Sequence, residues 1–582
     1  MRLMCEVGRW TTLAILLGAT SVLAPHTTCA AEPMREKLET VLPKMECSQL
    51  DFKAQELSVI AGVPIQISSA KIQLGNGAPY CDVEGYVSPR VGFEVRLPTT
   101  RWTQRFLQTG CGGLCGVITI RVPSPQNQNN ELVKRGEFVL AATNDGHDTN
   151  DYFDGVWAAS DPQLRIDFAY RGVHVTALAA KALMQLFYGQ KPRYSYFMGT
   201  SEGGREAAME TQRYPEDFNG LTSGAPAINL VTQITFYHAW NMISNSDEHN
   251  QEILTPKQLT LLHDGALAAC DGKDGLKDGI ISDPIQCQFD PNVLRCEAGQ
   301  DQRTCLTSAQ VAAAAKIYSG ARDSTGHRLV ISGPFPGSEL QWAEYVPDDP
   351  DMTHSQSYAF ATTGVKYLAS TTTLPVGFSV KDFNFTEANF DSFQQAHAIY
   401  DALDPDLSIF ARKGGKIIFW HGWADGSISP TNSIVYYNAI RKTMGEEKVQ
   451  DFARLYLFPG GYHANAGAHP IVSDLLTPLM DWVESGVHPD RIRATYYADP
   501  LPKPWSEVPD TNRAIRTRPV FPYPQVATYR GEGNPDDPEN FAPGKSESLE
   551  RFTTDWIGER KFFTPHYELW CESSGMQFHC DK

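Results

Sequence analysis

The sequence predicts an α/β fold: a largely parallel sheet flanked by helices and interrupted by one large insertion. Three observations carry this. Short apolar runs alternate with helical spacing from about 85 to 230, the pattern of doubly buried strands and of helices packed on them. The same texture returns after residue 405, and the stretch between, 231–405, is irregular and rich in Asp, Thr, Ser and Cys. That stretch is too long for a simple connection, and 582 residues exceed what one compact core usually holds.

In chain order, Arg2 and Arg9, the apolar residues at 13–17 and 22–24, and the small residues Cys29-Ala30-Ala31 read as a secretory signal over 1–31. A lipid anchor at Cys29 is the rival, but His26-Thr27-Thr28 is not the apolar and small run that such an anchor takes. The first half of the main domain, 32–230, has strand-like runs at 91–95, 106–108 and 138–142 and helical spacing over 173–187. The insertion, 231–405, is expected to be a lid domain with amphipathic helices at 257–269 and 308–319. The second half, 406–582, has strands at 416–420 and 453–458 and helices at 433–441 and 471–484, then a proline-rich tail after about 500 that wraps the surface. After the signal no stretch approaches the roughly 20 apolar residues of a membrane span, and no repeat is visible.

Removal of the signal takes Cys5 and Cys29 and leaves ten cysteines. An exported chain forms disulfides by default. Nearness in sequence suggests Cys270 with Cys287, Cys296 with Cys305 and Cys571 with Cys580, leaving Cys47 with Cys81 and Cys111 with Cys115. Structural zinc is disfavoured because no CxxC occurs and no histidine falls among the cysteines at ligand spacing. The formal charge of −18 argues against a nucleic-acid partner. Oligomeric state is not set by the sequence.

The chemistry centres on Gly199-Thr200-Ser201-Glu202-Gly203, a G-x-S-x-G preceded by the strand-like 194–198 and followed by the helix-forming 205–210. Strand, tight turn and helix are the context in which such a serine is lifted clear of a sheet as a nucleophile. Its base and orienting carboxylate should follow in the order Asp, His. Asp425 lies just past the strand at 416–420, and His463 lies in the glycine-rich loop after the next strand. His469 is the nearest rival base, and a solvated loop histidine is the bland reading of His463. Oxyanion donors are expected at the Glu202 amide and in the loop Thr109-Gly110-Cys111-Gly112-Gly113, from Gly112 or Gly113. A phosphate loop is the alternative there, without the Lys-Ser/Thr that would close it. Trp342, Tyr358, Phe360 and Tyr367 are the aromatics of the insertion that could face an aromatic substrate.

The segment from Cys270 to Ile280 places Asp271, Asp274 and Asp278 among glycines. Hard oxygen ligands at this density suit calcium, with the Leu276 and Ile280 carbonyls as further ligands. It is not an EF-hand, and a polar turn stapled by Cys270 and Cys287 is the competing reading.

The nucleophile region, 194–205, with Gln212-Arg213-Tyr214-Pro215-Glu216-Asp217-Phe218-Asn219-Gly220 and Gly224-Ala225-Pro226-Ala227, resembles the tannase and feruloyl esterase family, roughly over residues 40–580. The resemblance implies an α/β-hydrolase fold with the lid inserted after the nucleophile helix, and the triad Ser201, Asp425 and His463. It implies a structural calcium at Asp271, Asp274, Leu276, Asp278 and Ile280, and no organic cofactor. The implied substrate is a small ester of an aromatic acid: a hydroxycinnamate, a gallate or mono(hydroxyethyl) terephthalate. One departure stands out. Most of the family joins a cysteine before the serine to one after the histidine, and Thr200 and Ala464 stand there. A peptidase or lipase on the same scaffold, or an exported binding protein that kept the fold, are the rival readings. The expected location is secreted or periplasmic.

Overall fold

A computed structural model describes residues 35–582 except 76–77, 123, 125, 127–129, 160, 371–373, 375–376, 466–469, 499–513, 551, 575–576 and 582. The signal expected at 1–31 and the rival base His469 lie outside the described residues.

The main sheet has nine strands: β1 (Ile65–Gly75), β2 (Ala78–Val87), β3 (Val91–Pro98), β4 (Arg105–Thr109), β5 (Phe138–Thr143), β6 (Tyr194–Thr200), β7 (Gly220–Gly224), β8 (Lys416–Gly422) and β9 (Ala453–Phe458). Their spatial order is β1-β2-β3-β5-β4-β6-β7-β8-β9. From β5 to β9 every neighbouring pair is parallel, as the runs of buried residues predict. β1, β2 and β3 are added antiparallel at one edge, which corrects the expectation that 91–95 joins the parallel set. β1 and β2 escape the sequence reading because one face of β1 is exposed, so neither shows a continuous apolar run.

Helices cover the sheet. α1 (Gly172–Phe187) packs against β5, and α2 (Glu202–Arg213) packs against β6 and β7. The insertion leaves after β7 and returns before β8, which are neighbours in the sheet. Its α3 (Pro256–Cys270) and α4 (Ser308–Ser319) enclose the expected helices, and both begin with a reciprocal cap, from Thr255 and Thr307. Leu259, Leu262, Val311, Ile317, Trp342 and Tyr345 form a cluster of their own in the insertion. Phe360, Phe390 and Tyr400 instead join the main core.

α5 (Thr431–Met444) follows β8. The helix expected at 471–484 is corrected: Ile471–Ser473 forms β10, and the helix proper is α6 (Leu476–Ser485). β10 pairs with β11 (Ile492–Tyr497), which pairs with β12 (Ala514–Val520), so tertiary pairing overrides helical spacing at those residues. The tail ends in two hairpins, β13 (Gln525–Tyr529) with β14 (Phe541–Lys545) and β15 (Trp570–Ser574) with β16 (Gln577–Asp581). All five expected disulfides are present, Cys47–Cys81, Cys111–Cys115, Cys270–Cys287, Cys296–Cys305 and Cys571–Cys580. Among the described residues no helix is long and apolar enough to cross a membrane.

Candidate active site

The parallel strands deliver their C-terminal loops to one end of the sheet, where α/β folds place ligands. Ser201 sits between β6 and α2 with φ 65° and ψ −120°. That conformation costs a non-glycine residue of order 1–3 kcal/mol, and the flanking glycines let the chain adopt it. A Cβ on Gly199 would come within 1.9 Å of the Gly203 carbonyl oxygen. The turn is pinned from outside, since the Ser201 amide donates to Gly224 O (2.8 Å) and Ser201 O accepts from the Ala227 amide (3.1 Å).

The Glu202 side chain forms a fully buried ion pair with Arg205. Arg205 also donates to the carbonyls of Phe168 (2.8 Å) and Ala169 (2.6 Å). Burial raises the Glu202 carboxyl, opposed by Arg205. Its backbone amide stays at the N-terminus of α2, where the helix dipole favours developing negative charge.

The loop after β4 packs against the same helix, with Cys111 O accepting from the Gly203 amide (3.1 Å). The Cys111 amide donates to Glu206 Oε2 (3.3 Å) and the Leu114 amide to Tyr152 O (2.7 Å). The amides of Gly112 and Gly113 have no hydrogen-bond acceptor among the described residues. Burial, with the charge of Glu202, pushes the Glu206 carboxyl up to about 7. The Cys111–Cys115 bridge lies against Glu206 and Asp145, all four residues being buried.

Asp425 follows β8 and is fully buried. Its Oδ1 accepts from the amides of Ser427 and Ile428 (both 2.9 Å). Its Oδ2 lies 2.7 Å from His463 Nδ1 and 3.1 Å from His421 Nε2. Burial opposes its ionisation, yet the two imidazoles hold its carboxyl well below the usual range. His463 is shifted up: burial lowers it, but Asp425, and then Glu344, outweigh that. With Nδ1 committed to Asp425, Nε2 is the nitrogen left for a proton transfer.

The histidine loop is held by hydrogen bonds to other segments than the nucleophile loop. Gln341 Oε1, from the insertion, accepts from the His463 amide (2.8 Å) and the Gly426 amide (3.3 Å). Gln126 Nε2 donates to Ala464 O (3.2 Å). Ala464 holds φ 58°, a left-handed conformation that costs an L-residue about 1–2 kcal/mol.

Ser201, Glu202, Gly112, Gly113 and His463 all line one cavity of about 710 Å³, within the range that holds a small ligand. Asp425 stands behind His463. One wall is aromatic: Phe360 lies edge-on to Phe153 (5.1 Å between centroids) and stacks on His238 (4.7 Å). Burial pulls His238 down to about 3, so this ring is neutral. Of the four aromatics singled out in the insertion, only Phe360 is on that wall; Trp342 is buried in the insertion's own cluster. Tyr152, Phe153, Glu344 and Arg121 also line the cavity and were not found from the sequence. Glu344 accepts from Ser427 Oγ at 2.6 Å, and burial raises its carboxyl.

The acidic loop lies closer to these groups than its sequence position suggests. A Cβ on Gly460, in the turn that leads to His463, would sit 3.4 Å from Ile280. Asp271 accepts from the amides of Asp278 and Gly279 (both 3.1 Å), and Asp274 from that of Leu276 (2.9 Å). Asp278 Oδ2 pairs with Arg518 (2.9 Å) and Arg516 (3.2 Å). Burial, and then the charges of Asp278 and Asp271, raise the Asp274 carboxyl. Among the described residues the three carboxylates do not converge to ligand distance of one another, and Asp278 is held by two arginines, so a cation here would need the loop to close around it.

A family profile described as "Tannase and feruloyl esterase" matches residues 74–543. An uncharacterized esterase of Xanthomonas campestris is 30% identical over 510 residues, covering 79% of this chain and 84% of the relative. Mono(2-hydroxyethyl) terephthalate hydrolase of Piscinibacter sakaiensis is 29% identical over 522 residues, covering 80% and 84%. The crystal structure of feruloyl esterase B from Aspergillus oryzae superposes with a TM-score of 0.70 at 27% identity, over 82% of this chain and 97% of that one. The chain therefore belongs to the tannase and feruloyl esterase family and is a carboxylic ester hydrolase of the α/β-hydrolase fold.

Proposed function

We propose that the chain is an exported serine esterase that hydrolyses esters of aromatic acids through an acyl-enzyme on Ser201. The observation that carries this reading is a single cavity holding Ser201 on its raised turn, His463 backed by buried Asp425, and the aromatic wall of Phe153, Phe360 and His238. His463 Nε2 takes the Ser201 proton as Oγ attacks the ester carbonyl. The Glu202 amide, with that of Gly112 or Gly113, stabilises the oxyanion. Collapse expels the alcohol, which takes the proton from His463. Water then repeats the sequence, and the acid leaves.

The insertion acts as the lid, supplying Phe360 and Glu344 to the cavity and Gln341 to the loops beneath it. A second reading, cleavage of a monoester that keeps a free carboxylate, draws on Arg121. Its guanidinium lies over Gly112, with no carboxylate partner among the described residues. The test is hydrolysis of methyl ferulate, methyl gallate and mono(2-hydroxyethyl) terephthalate by wild type and Ser201→Ala. The expected result is cleavage of at least one ester, lowered about 10⁴-fold or more by the substitution. Cleavage of none, or an active Ser201→Ala, contradicts the reading. Preference for the terephthalate, lost in Arg121→Gln, selects the second.

Asp271, Asp274 and Asp278, with the Leu276 and Ile280 carbonyls, hold a structural calcium ion in this reading, which stiffens the loop against the Gly460 turn. Calcium should raise the thermal midpoint over EDTA by several degrees through mass action, and Asp274→Asn should abolish that rise. An equal midpoint in both buffers sinks the assignment. Export is supported by the five disulfides and the signal-like start; recovery of the expressed chain only in the cytosolic fraction would refute it.

A further inference from the structure

His421 is fully buried at the end of β8, one turn of chain before Asp425. Its Nε2 lies 3.1 Å from Asp425 Oδ2 and 3.0 Å from Ile428 O. A carboxylate and a carbonyl can only accept, so Nε2 carries a proton and donates to both. Its Nδ1 lies 2.8 Å from Ser433 Oγ, in the first turn of α5, and that hydroxyl can donate to it. Both ring nitrogens are thereby satisfied, with the Nε2 proton set by its two acceptors.

Asp425 then has four donors: two backbone amides on Oδ1 and two imidazoles on Oδ2. The amides come from its own turn, and His463 is the group it has to orient. His421 is the remaining donor, anchored to a different element, that stops the carboxylate from turning out of the His463 ring plane. We propose that His421 is a positioning residue of the esterase site: hydrogen-bonded through Ser433, it fixes the Asp425 carboxylate and, through it, the tautomer and aim of His463. The proposal rests on the triad reading given above.

It also has an electrostatic consequence. A carboxylate that shares its charge between two imidazole donors stabilises the protonated form of either one less than it would alone. Removing His421 should concentrate that charge on His463 and raise its titration further. A side chain that only fills space would not move that titration.

The experiment compares His421→Leu, which loses the donor, with His421→Gln, whose amide places an N–H near the Nε2 position. Both are assayed with 4-nitrophenyl acetate on the full chain. The expected result for His421→Leu is a kcat lower by about 10- to 100-fold, the cost seen when a hydrogen-bonded supporting group is lost. KM should stay within about threefold, and the acid limb of kcat/KM should move to higher pH. His421→Gln should recover most of kcat and return the limb toward wild type. Should the leucine variant fail to fold, Ser433→Ala carries the test, with kcat expected about 3- to 10-fold lower and the same direction of pH shift.

A leucine variant with wild-type kcat and an unmoved limb overturns the proposal. So does a glutamine variant that falls as far as leucine. An Asp425→Asn enzyme that keeps its kcat overturns the triad reading instead, and the proposal falls with it.

Discussion

His463 faces two carboxylates. Asp425 holds its Nδ1 at 2.7 Å, and Glu344, whose carboxyl is itself raised by burial, adds a weaker push in the same direction. A protonated His463 cannot accept the Ser201 proton, so kcat/KM should fall as pH drops through a midpoint above the ordinary imidazole value of 6.5. Glu344→Gln removes one of the two charges and should move that midpoint to lower pH. A pH profile of kcat/KM decides it: an unmoved midpoint removes Glu344 from the site. Ser201, Asp425 and His463 were legible because each sits at a strand end in a short glycine-bearing motif. Glu344 and His421 were not. Glu344 reaches the site from the insertion, 83 positions before its partner Ser427. His421 looks like the continuation of an apolar strand until its three ring contacts are known.

At the scale of elements, the parallel strands β4, β5, β6, β8 and β9 were readable because their two buried faces favour apolar runs, whereas buried β7, Gly220-Leu221-Thr222-Ser223-Gly224, carries none. β1 and β2 were not readable, because exposed positions break up their apolar residues, and 471–473 was misread because a three-residue pairing leaves no such run. The tie between the aspartate and histidine loops was also illegible, because the sequence cannot show that Gln341 bridges His463 and Gly426. Gln341→Ala should lower kcat by about 10- to 100-fold, since small displacements of a positioned group cost rates of that order. KM should change little. A kcat within about twofold of wild type in steady-state assays would show that the loops hold themselves.

For the whole molecule, the order of insertion matters more than its size. The chain leaves the sheet after β7 and re-enters at β8, so one excursion covers the site and places Gln341, Glu344 and Phe360 on it. The excursion was legible as a change of texture over 231–405, and its boundary was less so, because Phe360, Phe390 and Tyr400 pack into the main core. The central claim is that this assembly makes Ser201 the nucleophile. The most direct measurement is fluorophosphonate labelling followed by peptide mass mapping, on wild type, Ser201→Ala and His463→Ala. The account predicts a single adduct on the peptide carrying Ser201, absent in Ser201→Ala and formed far more slowly in His463→Ala. An adduct on another serine, or ester hydrolysis that persists with Ser201 unmodified, would contradict it.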